Sequence, residues 1–97
     1  MLFEWNADKA AANQRKHGVS FAEAASVFLD PMALTFADPD HSDVEDREIT
    51  IGTSASRRIL LLSHCMRQDR MRLISARKAT LRERKQYEAC IHKTGER

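Results

Sequence analysis

The pattern of apolar and polar positions predicts a short strand, two helices, four further strands and a last helix. The first strand spans residues 2–5, and the two helices span residues 7–17 and 21–29. Residues that favour helix ends flank both helices: Asn6 and Gly18 for the first, and a Ser20–Glu23 capping box followed by Asp30–Pro31 for the second. The second helix is rich in apolar residues, which indicates that it packs on a sheet.

The four later strands are predicted at residues 33–37, 48–53, 58–66 and 70–76. Residues 59–62 form an unbroken apolar run, so we expect their strand in the middle of the sheet. A turn at Gln68 and Asp69 makes the last two strands antiparallel neighbours. The alternation along the last strand does not show which of its two faces packs on the core, because each face carries both apolar and charged residues. The two faces are Arg70, Arg72, Ile74 and Ala76 on one side and Met71, Leu73, Ser75 and Arg77 on the other.

The stretch from Leu73 to Glu88 joins the last strand to the last helix. A capping box of Thr80 and Glu83 starts this helix. Two cations, Arg77 and Lys78, stand at the end of the strand. At helical spacing, one side of the helix carries a carboxylate, a guanidinium and a phenol close to those cations: Thr80, Glu83, Arg84, Tyr87 and Ile91.

Composition and length are those of one soluble folded domain, spanning residues 1–97. Hydrophobic residues make up 42% of the 97 residues and charged residues 31%, which excludes a disordered chain. The predicted fold is α+β, with the order β-α-α-β-β-β-β-α around a small antiparallel sheet. No apolar run approaches the roughly 20 residues that span a bilayer. The N-terminus lacks the regions of a signal peptide, and there are only two cysteines, so we expect a cytoplasmic protein without membrane contact.

The net charge of +2 conceals an asymmetry along the chain. Residues 1–66 carry 6 basic and 10 acidic side chains, whereas residues 67–97 carry 10 basic and 4 acidic ones. A cationic C-terminal third favours a partner rich in phosphate, because neutralising phosphates releases condensed counterions. A solvated helix face or an acidic protein partner fits the same charges.

Two groups of polar residues are candidates for other roles. Asn13 and His17 share a stripe of the first helix, where bonds to buried backbone are a more common role than catalysis. His41, Asp43 and Glu45 lie in an acidic segment before the strand at residues 48–53. Their oxygens are too few for a hard metal ion, and zinc prefers histidine and cysteine, so we interpret the segment as a solvated loop and expect no metal or cofactor.

The sequence contains no Walker loop, dinucleotide fingerprint, nucleophile elbow or HExxH motif. Arginines, lysines, a tyrosine, histidines and carboxylates remain. These groups suit metal-independent RNA cleavage, in which a ribose 2′-OH attacks the adjacent phosphorus while cations stabilise the developing charge. Arginine is suited to phosphate because its planar fork can bond two oxygens at once.

Several motifs, in order along nearly the whole chain, resemble the BrnT family of toxins. They are F-E-W-N at 3–6, N-x-x-K-H-G-V-S-F at 13–21, V-F-L-D-P at 27–31, D-P-D-H-S-x-x-E-D-R at 38–47, I-G-T-S at 51–54 and I-S-A-R-K-A-T-x-x-E-R-x-x-Y-E at 74–88. The sequence departs from the family at 54–58, S-A-S-R-R, where a glycine often precedes the second arginine. We expect this departure to alter a hairpin and not the chemistry.

The resemblance implies a RelE-like fold and a ribonuclease that arrests translation. It also implies a BrnA-type antitoxin with a ribbon-helix-helix type DNA-binding domain. The hetero-oligomer is expected to contain a pair of toxins and to repress its own operon, with operator DNA contacted only through the antitoxin. A rival interpretation is a non-catalytic binding module that acts as corepressor with such a partner.

The residues within shared motifs are His17, His41, Glu45, Arg47, Ser75, Arg77, Lys78, Thr80, Glu83, Arg84 and Tyr87. For phosphate binding and transition-state stabilisation the resemblance favours Arg47, Arg77, Lys78 and Arg84, with Arg72 as a weaker addition. For proton transfer it favours Tyr87, then Glu83, His41 and His17. A structural alternative stays open, in which Glu83 and Arg84 belong to an ion-pair network that clamps the last helix to the sheet and Tyr87 anchors that helix.

Overall fold

The computed structural model describes residues 2–40 and 46–95. Five strands form one sheet in the order β1-β5-β4-β3-β2: β1 Leu2–Glu4, β2 Leu34–Ala37, β3 Arg47–Thr53, β4 Ile59–Arg67 and β5 Arg70–Lys78. The helices are α1 Ala7–His17, α2 Phe21–Ser26 and α3 Leu81–Gly95. The predicted α+β class and element order are confirmed, as is the central position of β4.

One feature of the predicted sheet is wrong. Strands β2 to β5 form the expected antiparallel meander, but β1 pairs in parallel with β5, with Leu2 beside Arg70 and Glu4 beside Arg72. The sheet is therefore mixed. A parallel neighbour requires a long crossover, and the chain from α1 through β4 provides it.

Local capping residues place the first two helices. Asn6 accepts the backbone N–H of Lys9 at 3.0 Å, and Gly18 ends α1 with φ of 68°. Ser20 caps α2 by accepting the N–H of Glu23 at 3.1 Å. The carboxylate of Glu23 does not complete the predicted capping box, because it binds Arg58 and Ser54 instead.

The second helix ends earlier than predicted. Its α-helical part stops at Ser26, and Val27–Leu29 continue as a single 3₁₀ turn. Pro31 disfavours helical geometry at the preceding Asp30, which has ψ of 113°, so the last turn tightens. The turn crosses β3 at Gly52, where a Cβ atom would lie 2.9 Å from Val27 and Ala33 carbons, and only glycine fits that approach.

The main core lies between the sheet and the helices α1 and α2. It is built from Val19, Phe21, Ala24, Val27, Leu60, Leu62, Met71, Leu73 and Ala76. The pairing register slips by one residue between Ser63–Ser75 and His64–Leu73, a bulge that places Leu73 and Ala76 on the same face. The simple alternation predicted for this strand is therefore wrong, and the slip explains how a strand with mixed faces buries three apolar side chains.

Two buried polar side chains are tied into this core. Asn13 donates to the carbonyls of Val19 and Ala76 at 2.9 and 2.8 Å and accepts the N–H of Ala76 at 3.0 Å. It joins α1 to β5 and confirms the expected bonds to buried backbone. His64 bonds Thr50 at 2.6 Å, and burial lowers the pKa of its imidazole to about 4, so this histidine is neutral.

Candidate functional site

A cationic cleft opens at the end of the sheet where β4 begins and β5 ends. Its volume is about 440 Å³, and we call it the basic cleft. Four cations line it together with Ile59, Ala79 and one carboxylate, that of Glu88; the cations are Arg57, Arg58, Lys78 and Arg84. A cleft with this charge is suited to a polyanion.

The β3–β4 turn forms one wall of the basic cleft. The N–H of Ser54 donates to the carbonyl of Arg58 at 2.8 Å, and the N–H of Arg57 donates to the carbonyl of Ser54 at 2.9 Å. The N–H of Ala55 donates to the Ser26 hydroxyl at 2.8 Å, which fixes the turn to α2. Arg57 has φ of 64°, the left-handed conformation that glycine adopts most readily.

Arg58 is held by an ion pair beneath the turn. Its guanidinium donates to both carboxylate oxygens of Glu23, through Nε at 2.9 Å and through Nη2, and Nη2 also donates to the carbonyl of Gly18 at 3.1 Å. The hydrogen bond from Arg58 lowers the pKa of Glu23, so the carboxylate stays charged. Arg58 therefore has a structural partner.

The other three cations of the cleft have side chains with no hydrogen bond or ion pair to any residue that the structure describes. They are Arg57, Lys78 and Arg84. Three unpaired cations at one cleft repel one another in the free protein. A bound anion would remove that repulsion, and arginine and lysine are the side chains that bind phosphate.

Arg77 and Glu83 form a bidentate ion pair beside the cleft. The two nitrogen–oxygen distances are 2.9 and 3.0 Å. Glu83 also accepts the N–H of Thr80 at 2.8 Å, and Thr80 accepts the N–H of Glu83 at 3.2 Å, so the predicted capping box is present. The Arg77 hydrogen bond is the main reason that the pKa of Glu83 falls to about 2. This pair joins the end of β5 to the start of α3.

Tyr87 lies in a buried junction between α3, β3 and the turn after α2. Only 2% of the residue is exposed. Its hydroxyl donates to the carboxylate of Asp30 and accepts from the Thr53 hydroxyl at 3.1 Å. Burial and the hydrogen bond to Asp30 raise the pKa of Tyr87. In the described structure this side chain anchors the helix.

The carboxylate of Asp30 collects three donors at the same junction. Burial alone would raise its pKa, but hydrogen bonds from Tyr87, the Thr53 N–H and the Met32 N–H outweigh burial and lower it. Asp30 is therefore charged and satisfied by the fold.

Those of the remaining predicted site residues that the structure describes do not line the basic cleft. The guanidinium of Arg72 forms an ion pair with the carboxylate of Glu4 at 2.9 Å. Arg47, on β3, lies opposite Cys65 of β4. Arg72 also pairs across the sheet with Cys65, six residues along β5 from Lys78, or about 20 Å at the usual strand rise. His41 falls outside the described residues, as do Asp43 and Glu45 of the acidic segment. His17 is partly buried at the end of α1.

Lys78 and Arg84 are thus the predicted residues that the fold brings into one cleft, with the Arg77–Glu83 pair next to them. Arg57 and Arg58 were missed as site residues. The available signal was their position: in an antiparallel pair the start of β4 lies beside the end of β5, so arginines before Ile59 come close to Lys78. Ala79, which donates its N–H to the carbonyl of Ile59 at 3.0 Å, marks this meeting point.

Neither a metal site nor a membrane-spanning helix is formed by the residues that the structure describes. They contain no group of three or more histidine, cysteine, aspartate or glutamate side chains placed to hold a metal ion. None of their helices has the length and apolar character needed to cross a membrane.

Comparison with known proteins gives consistent results. The family described as the ribonuclease toxin, BrnT, of type II toxin-antitoxin systems matches residues 5–83, which includes Lys78 but ends before Arg84 and Tyr87. No curated protein sequence matches the chain. The crystal structure of the Brucella abortus ribonuclease toxin BrnT is similar, with a TM-score of 0.64 and 25% sequence identity over 82% of this chain and 97% of that chain. The chain belongs to the BrnT family of ribonuclease toxins of type II toxin-antitoxin systems.

Proposed function

We propose that this protein is a metal-independent endoribonuclease that arrests translation in the cytoplasm and binds RNA in the basic cleft. Family membership supports the ribonuclease activity. The observation that carries the location is the group of three cations without partners among the described residues, Arg57, Lys78 and Arg84, at one cleft. Unpaired cations are free to contact phosphate, whereas arginines engaged in ion pairs are not.

In the proposed reaction the ribose 2′-oxygen attacks the adjacent phosphorus. A base removes the 2′-OH proton, the new oxygen–phosphorus bond forms, the bond to the 5′-oxygen breaks, and an acid protonates that leaving oxygen. The products are a 2′,3′-cyclic phosphate and a 5′-hydroxyl end. Lys78 and Arg84 stabilise the negative charge that develops on the phosphoryl oxygens.

The Arg77–Glu83 pair fits a positioning role in this proposal. It fixes the junction between Lys78, the last residue of β5, and Arg84, in the first turn of α3. A carboxylate with a pKa of about 2 is a weak base at neutral pH. Tyr87 is better suited to anchoring than to removing a proton, because its pKa is raised and its hydroxyl is already bonded. Arg47, Arg72 and His41 stay predictions as site residues.

Membership of a type II toxin-antitoxin family implies an antitoxin partner. We propose that it is a BrnA-type protein that neutralises the toxin, and that the pair represses its operon through the antitoxin's DNA-binding domain. This proposal rests on family membership.

The test uses purified toxin free of antitoxin, incubated with single-stranded RNA in EDTA. Wild type is expected to cleave, and Lys78→Ala and Arg84→Ala to lose activity by roughly a hundredfold, since each removes charge stabilisation at the phosphate. Arg82→Ala is the matched control, because Arg82 is exposed on the same turn of α3 and does not line the cleft. It should cleave like wild type.

Intact RNA in EDTA with cleavage restored by a divalent cation would overturn the metal independence. Equal losses in Arg82→Ala and Arg84→Ala would remove the basic cleft as the site. Circular dichroism of each variant checks that it is folded.

A further inference from the structure

We infer that Arg57 is an RNA-binding residue that holds a phosphate from the turn side of the basic cleft, in addition to the phosphate bound by Lys78 and Arg84. The inference rests on the proposed function and assigns a separate phosphate to Arg57, whereas the proposed reaction gives roles to Lys78 and Arg84 alone. Arg57 has an unfavourable backbone conformation, has no side-chain partner among the described residues and lies beside other cations of the cleft.

The backbone conformation at Arg57 is unfavourable for an arginine. With φ of 64°, the Cβ atom lies close to the following carbonyl oxygen, and glycine would avoid this contact. The hairpin itself needs a left-handed residue here: the Arg57 N–H closes a turn onto the Ser54 carbonyl at 2.9 Å, and the αL conformation then returns the chain to the ladder, where the Ser54 N–H donates to the Arg58 carbonyl at 2.8 Å. It does not need a side chain at this position.

No contact with a residue that the structure describes accounts for an arginine side chain at position 57. The guanidinium of Arg57 has no hydrogen bond or ion pair there, in contrast to Arg58, which is held by Glu23. Its companions at the cleft include Lys78 and Arg84, which carry the same charge. The position therefore combines backbone strain with charge repulsion, and strained residues are enriched at active sites and ligand-binding sites.

A polyanion in the cleft would offset both costs. Arg57 projects from the β3–β4 turn, whereas Lys78 and Arg84 come from the end of β5 and the first turns of α3, so cations stand on two walls of the cleft. An RNA backbone between those walls presents successive phosphates to both. Because the turn is fixed by Ser26 and by the Ser54 hydroxyl, which accepts the N–H of Ser56 at 3.2 Å, Arg57 is presented from a rigid backbone.

The test compares Arg57→Gly with Gln68→Gly in the full chain free of antitoxin. Gln68 is the other non-glycine residue with positive φ in the described structure, 60°, and lies in the exposed β4–β5 turn away from the cleft. Both substitutions relieve the same kind of strain, so both should leave the midpoint of thermal unfolding equal or higher. Only Arg57→Gly also removes a cation from the basic cleft.

The probe is a single-stranded RNA oligonucleotide with 2′-O-methyl groups throughout, which cannot be cleaved because it lacks the attacking hydroxyl. Arg57→Gly is expected to weaken binding by roughly tenfold, the size of one charge-assisted contact. The slope of log affinity against log salt should become shallower by about 0.7, the value for one phosphate contact on a single strand. Arg57→Lys should retain most of the slope, and Gln68→Gly should retain affinity and slope.

Unchanged affinity and slope in Arg57→Gly would overturn the inference while leaving the proposed function intact, if wild type still cleaves unmodified RNA. A lower unfolding midpoint in Arg57→Gly with unchanged binding would assign the side chain a structural role and also overturn it. If wild type neither binds the probe nor cleaves RNA, the proposed function fails and the inference fails with it.

Discussion

The hydroxyl of Tyr87 connects three separate parts of the chain through one donated and one accepted hydrogen bond. Removing this hydroxyl leaves the Asp30 carboxylate short of a donor in a partly buried site. We predict that Tyr87→Phe lowers the free energy of unfolding by about 1.5–3 kcal/mol, the usual contribution of a hydrogen bond to a charged group. Urea unfolding monitored by circular dichroism measures this loss.

The same variant separates anchoring from catalysis. If Tyr87 is an anchor, Tyr87→Phe should cleave RNA at close to the wild-type rate under conditions in which both proteins are folded. A loss of more than a hundredfold in folded protein would instead assign proton transfer to the phenol. Thr53→Val serves as the control, because it removes the other hydroxyl at the junction and leaves Asp30 its bond from Tyr87.

The hydrogen-bond partner of a residue could be predicted from the sequence where the two residues are close along the chain. Thr80 and Glu83 are three residues apart, and their capping box could be predicted before the fold was known. Glu23 also lies three residues from its cap, yet its carboxylate binds Arg58, 35 residues away. A distant cation forms a stronger bond than the nearby backbone, and nothing local in the sequence signals it.

At the scale of elements, the Arg77–Glu83 ion pair is one of the contacts that join α3 to the sheet. The pKa of Glu83 is depressed from 4.5 to about 2, so the pair contributes stability above pH 4.5 and loses it as the pH falls towards 2. We predict that Glu83→Gln costs about 1 kcal/mol at pH 7, a value kept low because 38% of the Arg77 side chain is exposed.

The difference between wild type and Glu83→Gln should shrink as the pH falls from 4.5 to 2. Urea unfolding at several pH values measures it. Asp69→Asn, in the exposed β4–β5 turn, is the control and should show no such trend. Some acid sensitivity should persist in Glu83→Gln, because the pKa values of Glu23 and Asp30 are also lowered in the folded state. A constant difference across this range would contradict the role of the ion pair.

Periodicity and caps predicted the elements themselves because each signal is contained within a few residues. The core face of β5 could not be predicted in this way. A one-residue slip against β4 reverses which side chains face inward, and such a bulge depends on the partner strand. The unbroken apolar run of residues 59–62 predicted a central β4 correctly. One face of the run is fully buried and the other is partly buried, so neither face requires polar side chains.

Over the whole molecule, the charge asymmetry of the sequence becomes a localised surface. The basic cleft draws Arg57 and Arg58 from the acidic part of the chain and joins them to Lys78 and Arg84 from the cationic third. Composition therefore indicated a phosphate-rich partner but not the complete site. The parallel pairing of β1 with β5 was equally hidden, because it joins residues 68 positions apart and leaves no local pattern.

RNA cleavage should become slower as the salt concentration rises, and the number of phosphates that the cleft contacts determines how steeply. Arg57 at one phosphate, and Lys78 with Arg84 at a second, neutralise two phosphates of a single strand, which gives a slope of about −1.4 for log kcat/KM against log salt concentration, since each phosphate contributes about 0.7. Initial rates at RNA concentrations well below KM, between 50 and 400 mM potassium chloride, measure this slope. Arg84→Ala should give a shallower slope, and Arg82→Ala should match wild type. A wild-type rate independent of salt would show that the substrate is not held through its phosphates at this cleft.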